Sequence, residues 1–475
     1  MNLKKNEKTI LLTLFLLATA FFLLQHYFLT GWDFKVYLLN AKYFFGQGSF
    51  FEWTRPPVPP LLLSIFSLFG LIGWKTGEYI YIIFISALFS YSSIKFSEKL
   101  KINKIIFYTI SLCPLLLMHG LLEGTELLSI SLLLLYIATI GQRKAPLYLA
   151  LSVLTRYQNL VFGIFLLIKK DFIKNIKETV IDLFILGFSL LTWLFYNYIK
   201  TGNPLTSIMD SYALVIKFRN YIHIPVSFTE FLIFFCYLLP IALIGLYLVI
   251  KKDWKNKKLS YGLAVMAIIS FFTIQSYTGT PLRVTRYLFL LIIPISYFST
   301  ITISKIKKSR LKAIILIMLL ILSFSASILV SFPSWNSYSK NYDKALLTDY
   351  NSLQQGMGNC SIASNNYIHL NYAGIESEGA PSHMLLSKKI EQGYRVWLFK
   401  STPEPEYMFN KEFINQYPII NQTNEYILLG NTSLCHQNPQ LDTTYLSKIN
   451  ELYEYQFNTS FNITWYELFF TDKSA

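Results

Sequence analysis

A carboxylate, a guanidinium and a few further charges mark where this chain can do chemistry. Asp33 follows the apolar run 10–29, at the head of Trp32-Asp33-Phe34-Lys35-Val36-Tyr37. A carboxylate at a membrane surface can take a proton from a hydroxyl as a general base. Aspartate is also a favoured helix N-cap, and one residue can serve both roles. Arg156 lies inside an apolar segment, where an arginine costs roughly 2.5–3.5 kcal/mol on insertion scales, so it calls for a carboxylate such as Glu126 or a watery cavity. Glu123 and Glu126 straddle a turn at helical spacing and can assist a base, hold a cation or simply complement a helix dipole. Glu52 and Arg55 share the loop that follows Asp33, and Arg283 and Arg286 flank a later apolar run.

Other chemistries lack their residues. The six histidines show no H-x-x-x-H spacing and the four cysteines no C-x-x-C, so no zinc site is expected. Neither a Walker loop nor a G-x-G-x-x-G fingerprint occurs, which leaves nucleotide-driven transport and nucleotide-sugar chemistry without support. No cofactor is expected, although a metal ion stays open.

The elements that must position these residues are set by the membrane. Of the 475 residues, 53% are hydrophobic and only 15% charged, and the apolar residues come in membrane-length runs. A net charge of +15 in a soluble chain would suggest nucleic acid. Here the lysines gather at the ends of runs, as anchors on the cytoplasmic face do. Lys4, Lys5 and Lys8 precede the first run without a small-residue cleavage site behind it, so it reads as a retained span with the N-terminus inside.

Six basic clusters hold over half of the 42 basic residues, at 4–8, 95–104, 143–144, 169–177, 251–258 and 305–312. Keeping all six inside decides two ambiguous stretches. Residues 58–73 become an interfacial helix, and 145–168 becomes a bent pair, 145–155 and 158–168, with Thr155-Arg156-Tyr157-Gln158-Asn159 at its tip. The remaining spans are 10–29, 79–94, 105–122, 127–141, 180–199, 228–250, 259–276, 286–303 and 313–331. The expectation is a polytopic α-helical membrane protein of about eleven passes. Residues 1–332 would form the membrane domain, with a first outer loop at 30–78, and residues 333–475 an extracytoplasmic α/β domain.

Within 333–475 fall all five N-x-S/T sequons, at Asn359, Asn421, Asn431, Asn458 and Asn462. Cys360 and Cys435 can pair there in an oxidising compartment or remain buried thiols. Strands are expected at 361–364, 395–399 and 426–429, and helices at 343–355 and 382–392. In the first outer loop, Phe34, Tyr37, Leu38, Ala41, Phe44 and Phe45 fall at helical spacing, with Lys35, Asn40 and Lys42 off that face. They predict an amphipathic helix along the outer interface, with Asp33 as its cap.

The loop then runs through Gly46-Gln47-Gly48 to Arg55-Pro56-Pro57-Val58-Pro59-Pro60-Leu61. Asp33, Tyr37, Ala41, a glycine at 46 or 48, and Pro59-Pro60-Leu61 resemble the first outer loop of the GT-C superfamily of membrane glycosyltransferases. Its members include protein O-mannosyltransferases and lipid A aminoarabinose transferases. Thr125-Glu126-Leu127-Leu128, Leu154-Thr155-Arg156, Gly202-Asn203-Pro204-Leu205 and Arg286-Tyr287 are similar more loosely, over most of 1–331. Two features depart from relatives: Phe34, not a second acid, follows Asp33, and the oligosaccharyltransferase W-W-D-Y-G signature is absent.

The resemblance implies an inverting transferase that moves a sugar from a polyprenyl-phosphate donor to an acceptor hydroxyl of a glycan, lipid or protein. Asp33 would be the base. Arg156 ranks first for the donor phosphate, ahead of Arg283, Arg286 and Arg55, and Glu123, Glu126 or Glu52 would assist or meet the acceptor. A transporter or flippase of a lipid-linked sugar is the competing expectation, and a catalytically inactive scaffold presenting the outer domain is a third. Neither would need so elaborate a first loop.

Overall fold

The computed structural model describes residues 6–167, 176–218, 235, 237–251, 257–274, 285–337, 341–401 and 406–457. The chain divides into two compact units. The first comprises 1–34, 56–205 and 215–337, and the second 35–55, 206–214 and 338–475. The tail expected from residue 333 thus shares its unit with residues 35–55 of the first loop and with a short piece of the middle of the chain.

The first unit is helical. Among the described residues, four helices are long and apolar enough to cross a membrane: Glu7–Phe28, Trp74–Leu100, Ile176–Thr201 and Ser309–Phe332. The helix Trp74–Leu100 packs most extensively against Glu126–Thr139, and Leu238–Lys251 against Ile292–Ser304. The apolar runs expected at 10–29, 79–94, 180–199 and 313–331 overlap the four long helices. The expected pass at 105–122 is different, because it consists of two short helices, Lys104–Ser111 and Pro114–His119. Proline forces Cys113 to an extended conformation (φ −72°, ψ 163°) and offers no N–H, so the helix must restart. The expected 228–250 pass lies partly outside the described residues.

The stretch 145–167 is bent as anticipated. The helix Ala145–Val153 stops, Arg156 is extended, and a 3₁₀ turn Tyr157–Gly163 leads into Ile164–Leu167. The proline-rich entry at 56–60 opens the helix Val58–Phe66, with proline in its first turn, where a missing N–H costs nothing.

The second unit holds a five-stranded sheet in the order β2-β1-β3-β5-β4. The strands are β1 Ile362–Ser364, β2 Ser377–Gly379, β3 Arg395–Phe399, β4 Ile419–Gln422 and β5 Tyr426–Leu429. β1 pairs in parallel with both β2 and β3, while β5 runs antiparallel to β3 and β4. Both faces are covered. Trp397 and Phe399 pack with Leu346, Leu353 and Leu370, whereas Val396 and Leu398 pack with Leu386, Ile390 and Met408. Alternate residues of β3 therefore enter two different cores, which explains why its sequence reads as an unbroken apolar run. A disulfide joins Cys360, just before β1, to Cys435, with a Cα–Cα distance of 5.0 Å.

The first-loop helix, Trp32–Phe44, corrects one expectation. It is not amphipathic in its surroundings: Phe34, Val36, Leu38 and Ala41 are buried, and so are Lys35 and Asn40. Its polar side chains are accommodated by partners instead of water. Lys35 Nζ donates to His369 Nδ1 at 2.8 Å and lies 4.6 Å from the Tyr372 ring centre. Asn40 exchanges two 2.9 Å hydrogen bonds with the backbone of Glu52.

Candidate active site

Asp33 lies within the first turn of the helix Trp32–Phe44, not at its cap as the sequence suggested, and is 9% exposed. The backbone N–H of Asp33 donates instead to Glu123 Oε2 at 3.0 Å. A carboxylate from a distant turn thus satisfies an amide that the helix leaves open, where the helix dipole favours negative charge.

The chain makes this approach possible with two glycines. A Cβ on Gly31 would lie 2.3 Å from the Leu122 carbonyl oxygen and 2.9 Å from Glu123 Oε2. Gly31 N–H also donates to that carbonyl at 3.2 Å. Gly124 has φ +86°, and a Cβ there would lie 2.9 Å from the Phe34 ring. Phe34 in turn packs on His26, with ring centres 4.7 Å apart, and on Tyr81, at 5.9 Å. The Tyr81 hydroxyl donates to the Gly124 carbonyl, and Gln25 Nε2 to the Met118 carbonyl at 2.8 Å. The acidic turn at 120–126 is therefore clamped from three elements, and Asp33 with it.

Glu126 and Arg156 are brought together as an ion pair through Arg156 Nη1, with Thr125 alongside. Glu126 is fully buried and Arg156 15% exposed at its side chain. The structural role weighed for Arg156 is thus present. The tip that carries it is pinned by Asn159, whose Nδ2 donates to Ser129 Oγ at 2.6 Å and Ser152 Oγ at 2.8 Å. Leu154 accepts the Val58 N–H at 3.1 Å, tying the tip to the proline-rich entry.

Glu52 and Arg55 belong to the second unit and also pair, Arg55 Nε to Glu52 Oε1 at 2.7 Å. Thr54 Oγ1 donates to the same oxygen at 2.6 Å, and Arg55 lies over the Tyr37 ring. Arg283 lies outside the described residues, and of Arg286 only the backbone, in a 3₁₀ turn Thr285–Leu291, is described. Among the described residues no three His, Cys, Asp or Glu side chains gather as a metal site would need.

Two polar clusters escaped the sequence reading. His26 Nε2 meets Glu78 Oε2 at 2.7 Å, with Lys75 on the same oxygen at 2.8 Å. Asp210, in the helix Thr206–Phe218, is 1% exposed and accepts the Leu446 N–H at 3.0 Å. The only signal for either was a titratable residue at the edge of an apolar run, which by itself names no partner. Comparison of the sequence with protein-family models and with curated proteins finds no match to either.

Proposed function

We propose that this protein is an inverting membrane glycosyltransferase of the GT-C kind, using a polyprenyl-phosphate sugar. The observation that carries the reading is the buried Asp33, whose backbone N–H Glu123 holds in a helix's first turn, within the loop on which the resemblance rests. Asp33 takes the proton of the acceptor hydroxyl as its oxygen bonds to the anomeric carbon. The bond from that carbon to the phosphate oxygen breaks, and polyprenyl phosphate leaves with the electron pair. A single displacement inverts the anomeric centre.

The leaving phosphate gains charge, and a guanidinium, with five N–H donors, can serve a carboxylate and a phosphate together. Arg156, held by Glu126, takes that role in this reading. Arg286, Arg283 and Arg55 rank after it, and Glu123 orients the base.

In this topology the chain makes about eleven passes, with its N-terminus cytoplasmic and residues 333–475 outside. The Cys360–Cys435 disulfide supports an oxidising location for the C-terminal region. So does the sequon asparagine Asn359, which is exposed, while Asn421 and Asn431 are partly so. A second reading, transport of a lipid-linked sugar, draws on the buried Arg156–Glu126 pair, a feature that transporters also use.

The test is purified protein in detergent, given a radiolabelled polyprenyl-phosphate hexose and a panel of hydroxyl acceptors. Release of polyprenyl phosphate together with a labelled glycoside of inverted configuration is expected, and its loss in Asp33→Asn. Translocation in liposomes without chemical turnover would replace the first reading with the second.

A further inference from the structure

The helix Tyr445–Phe457 starts on a carboxyl group supplied from far away in the chain. Asp210 Oδ1 accepts the Leu446 N–H at 3.0 Å, and the neighbouring Ser211 Oγ donates to the Thr54 carbonyl at 3.0 Å. The second carboxyl oxygen of Asp210, Oδ2, is buried and has no hydrogen-bond partner among the described residues. A buried carboxyl group satisfied on one side is tolerated with its proton on and costly once ionised, because burial penalises the charged form.

The groups around Asp210 act in both directions. Glu52, from the 50–55 segment, opposes ionisation through its charge, while the Leu446 N–H, Lys448 and the Tyr445 N–H, from the helix itself, favour it. Arg55 pairs with Glu52 and its charge acts on Tyr445. Tyr445 is buried, its hydroxyl 3.0 Å from that of Tyr367, and burial first and Glu52 second hold it well above the ordinary phenol range. It stays neutral. Burial of Asp210 outweighs the favourable groups and pushes its carboxyl up to about 7.

We propose that Asp210 is a proton-operated clasp on the helix Tyr445–Phe457, seating the helix start when protonated and loosening it when the proton leaves. When the helix is released, the carboxyl meets water and titrates at its ordinary value of about 3.9. The seated form therefore keeps a proton that the released form gives up. Seating is fully favoured below that ordinary value, weakens as pH rises, and levels off once pH has passed about 7. The Lys388–Glu451 ion pair at 3.0 Å, farther along the helix, holds it independently of this proton.

The experiment is amide hydrogen exchange of the full chain in lipid nanodiscs from pH 5 to 8.5, corrected for intrinsic rates, reading the amides of residues 446–451. In the wild type, protection should fall by up to about tenfold per pH unit between pH 5 and 7 and then flatten, as one linked proton requires. Asp210→Asn keeps the size and the acceptor oxygen, so its protection should be independent of pH. Asp210→Ala removes the acceptor and should protect the helix start weakly at every pH. A flat wild-type profile would overturn the proposal, as would an Asn variant that keeps the wild-type slope.

Discussion

Glu123 Oε2 accepts the backbone N–H of Asp33 at 3.0 Å, across 90 positions of sequence. The contact places two carboxylates at one helix terminus, one on the helix and one facing it. It also makes the position of Asp33 depend on a turn that Gly31 and Gly124 allow to come close.

Glu123→Ala removes that acceptor and should cost about 1 kcal/mol of stability, the usual value of a lost helix cap. Glu123→Gln keeps an acceptor oxygen and should unfold close to the wild type. Gly31→Ala should be the more damaging change, since its Cβ would meet a backbone oxygen at 2.3 Å. Thermal unfolding in detergent, compared across the three variants, gives the order.

Asp33→Asn tests the proposed base. The amide preserves size, so the variant should fold and bind donor. Its transfer rate should drop by about 10²–10⁴-fold, the usual contribution of a general base. Undiminished transfer would leave Asp33 a structural residue and shift attention to Glu123, Glu126 or Glu52.

For Arg156 the structural and chemical roles separate by measurement. Arg156→Ala leaves Glu126 buried without its partner, and breaking a buried pair costs about 3–5 kcal/mol. Arg156→Lys keeps the charge but not the planar fork, and should fold better while transferring poorly. If Arg156 also meets the donor phosphate, added polyprenyl phosphate should raise the unfolding temperature of the wild type but not of Arg156→Lys.

The disulfide closes a separation of 75 residues between the start of β1 and the segment after β5. Cys360→Ser or Cys435→Ser should destabilise the second unit by about 2–5 kcal/mol. Differential scanning of oxidised and reduced protein reads this directly. Labelling of intact cells with a membrane-impermeant reagent should reach the same unit, and protection of it would overturn the proposed topology.

Much of the scaffold was legible because it rests on local pattern. Apolar length and lysine clusters located the helices Glu7–Phe28, Trp74–Leu100, Ile176–Thr201 and Ser309–Ser337. Short arms flanked by basic residues gave the bend at Arg156, and β-branched and aromatic runs gave β3 and β5. Strand β4 was missed because it is a largely exposed edge of mixed polarity, and β2 because three residues carry no period. The break at Cys113-Pro114 was written in the proline and outweighed by the surrounding hydropathy.

What only the tertiary structure decided is which polar groups meet. Lys35 and Asn40 read as a solvated helix face, yet they are buried against His369 and Glu52. Asp33 read as its own cap, yet Glu123 supplies the cap from another turn, and Asp210 caps a helix that begins 235 residues later at Tyr445. Periodicity reports which face of an element avoids water, because burial of apolar area adds up along the chain. It does not report the partner of a single buried charge. That depends on a few directional contacts brought within 3 Å or so by the packing of whole elements, and sequence spacing carries no trace of them.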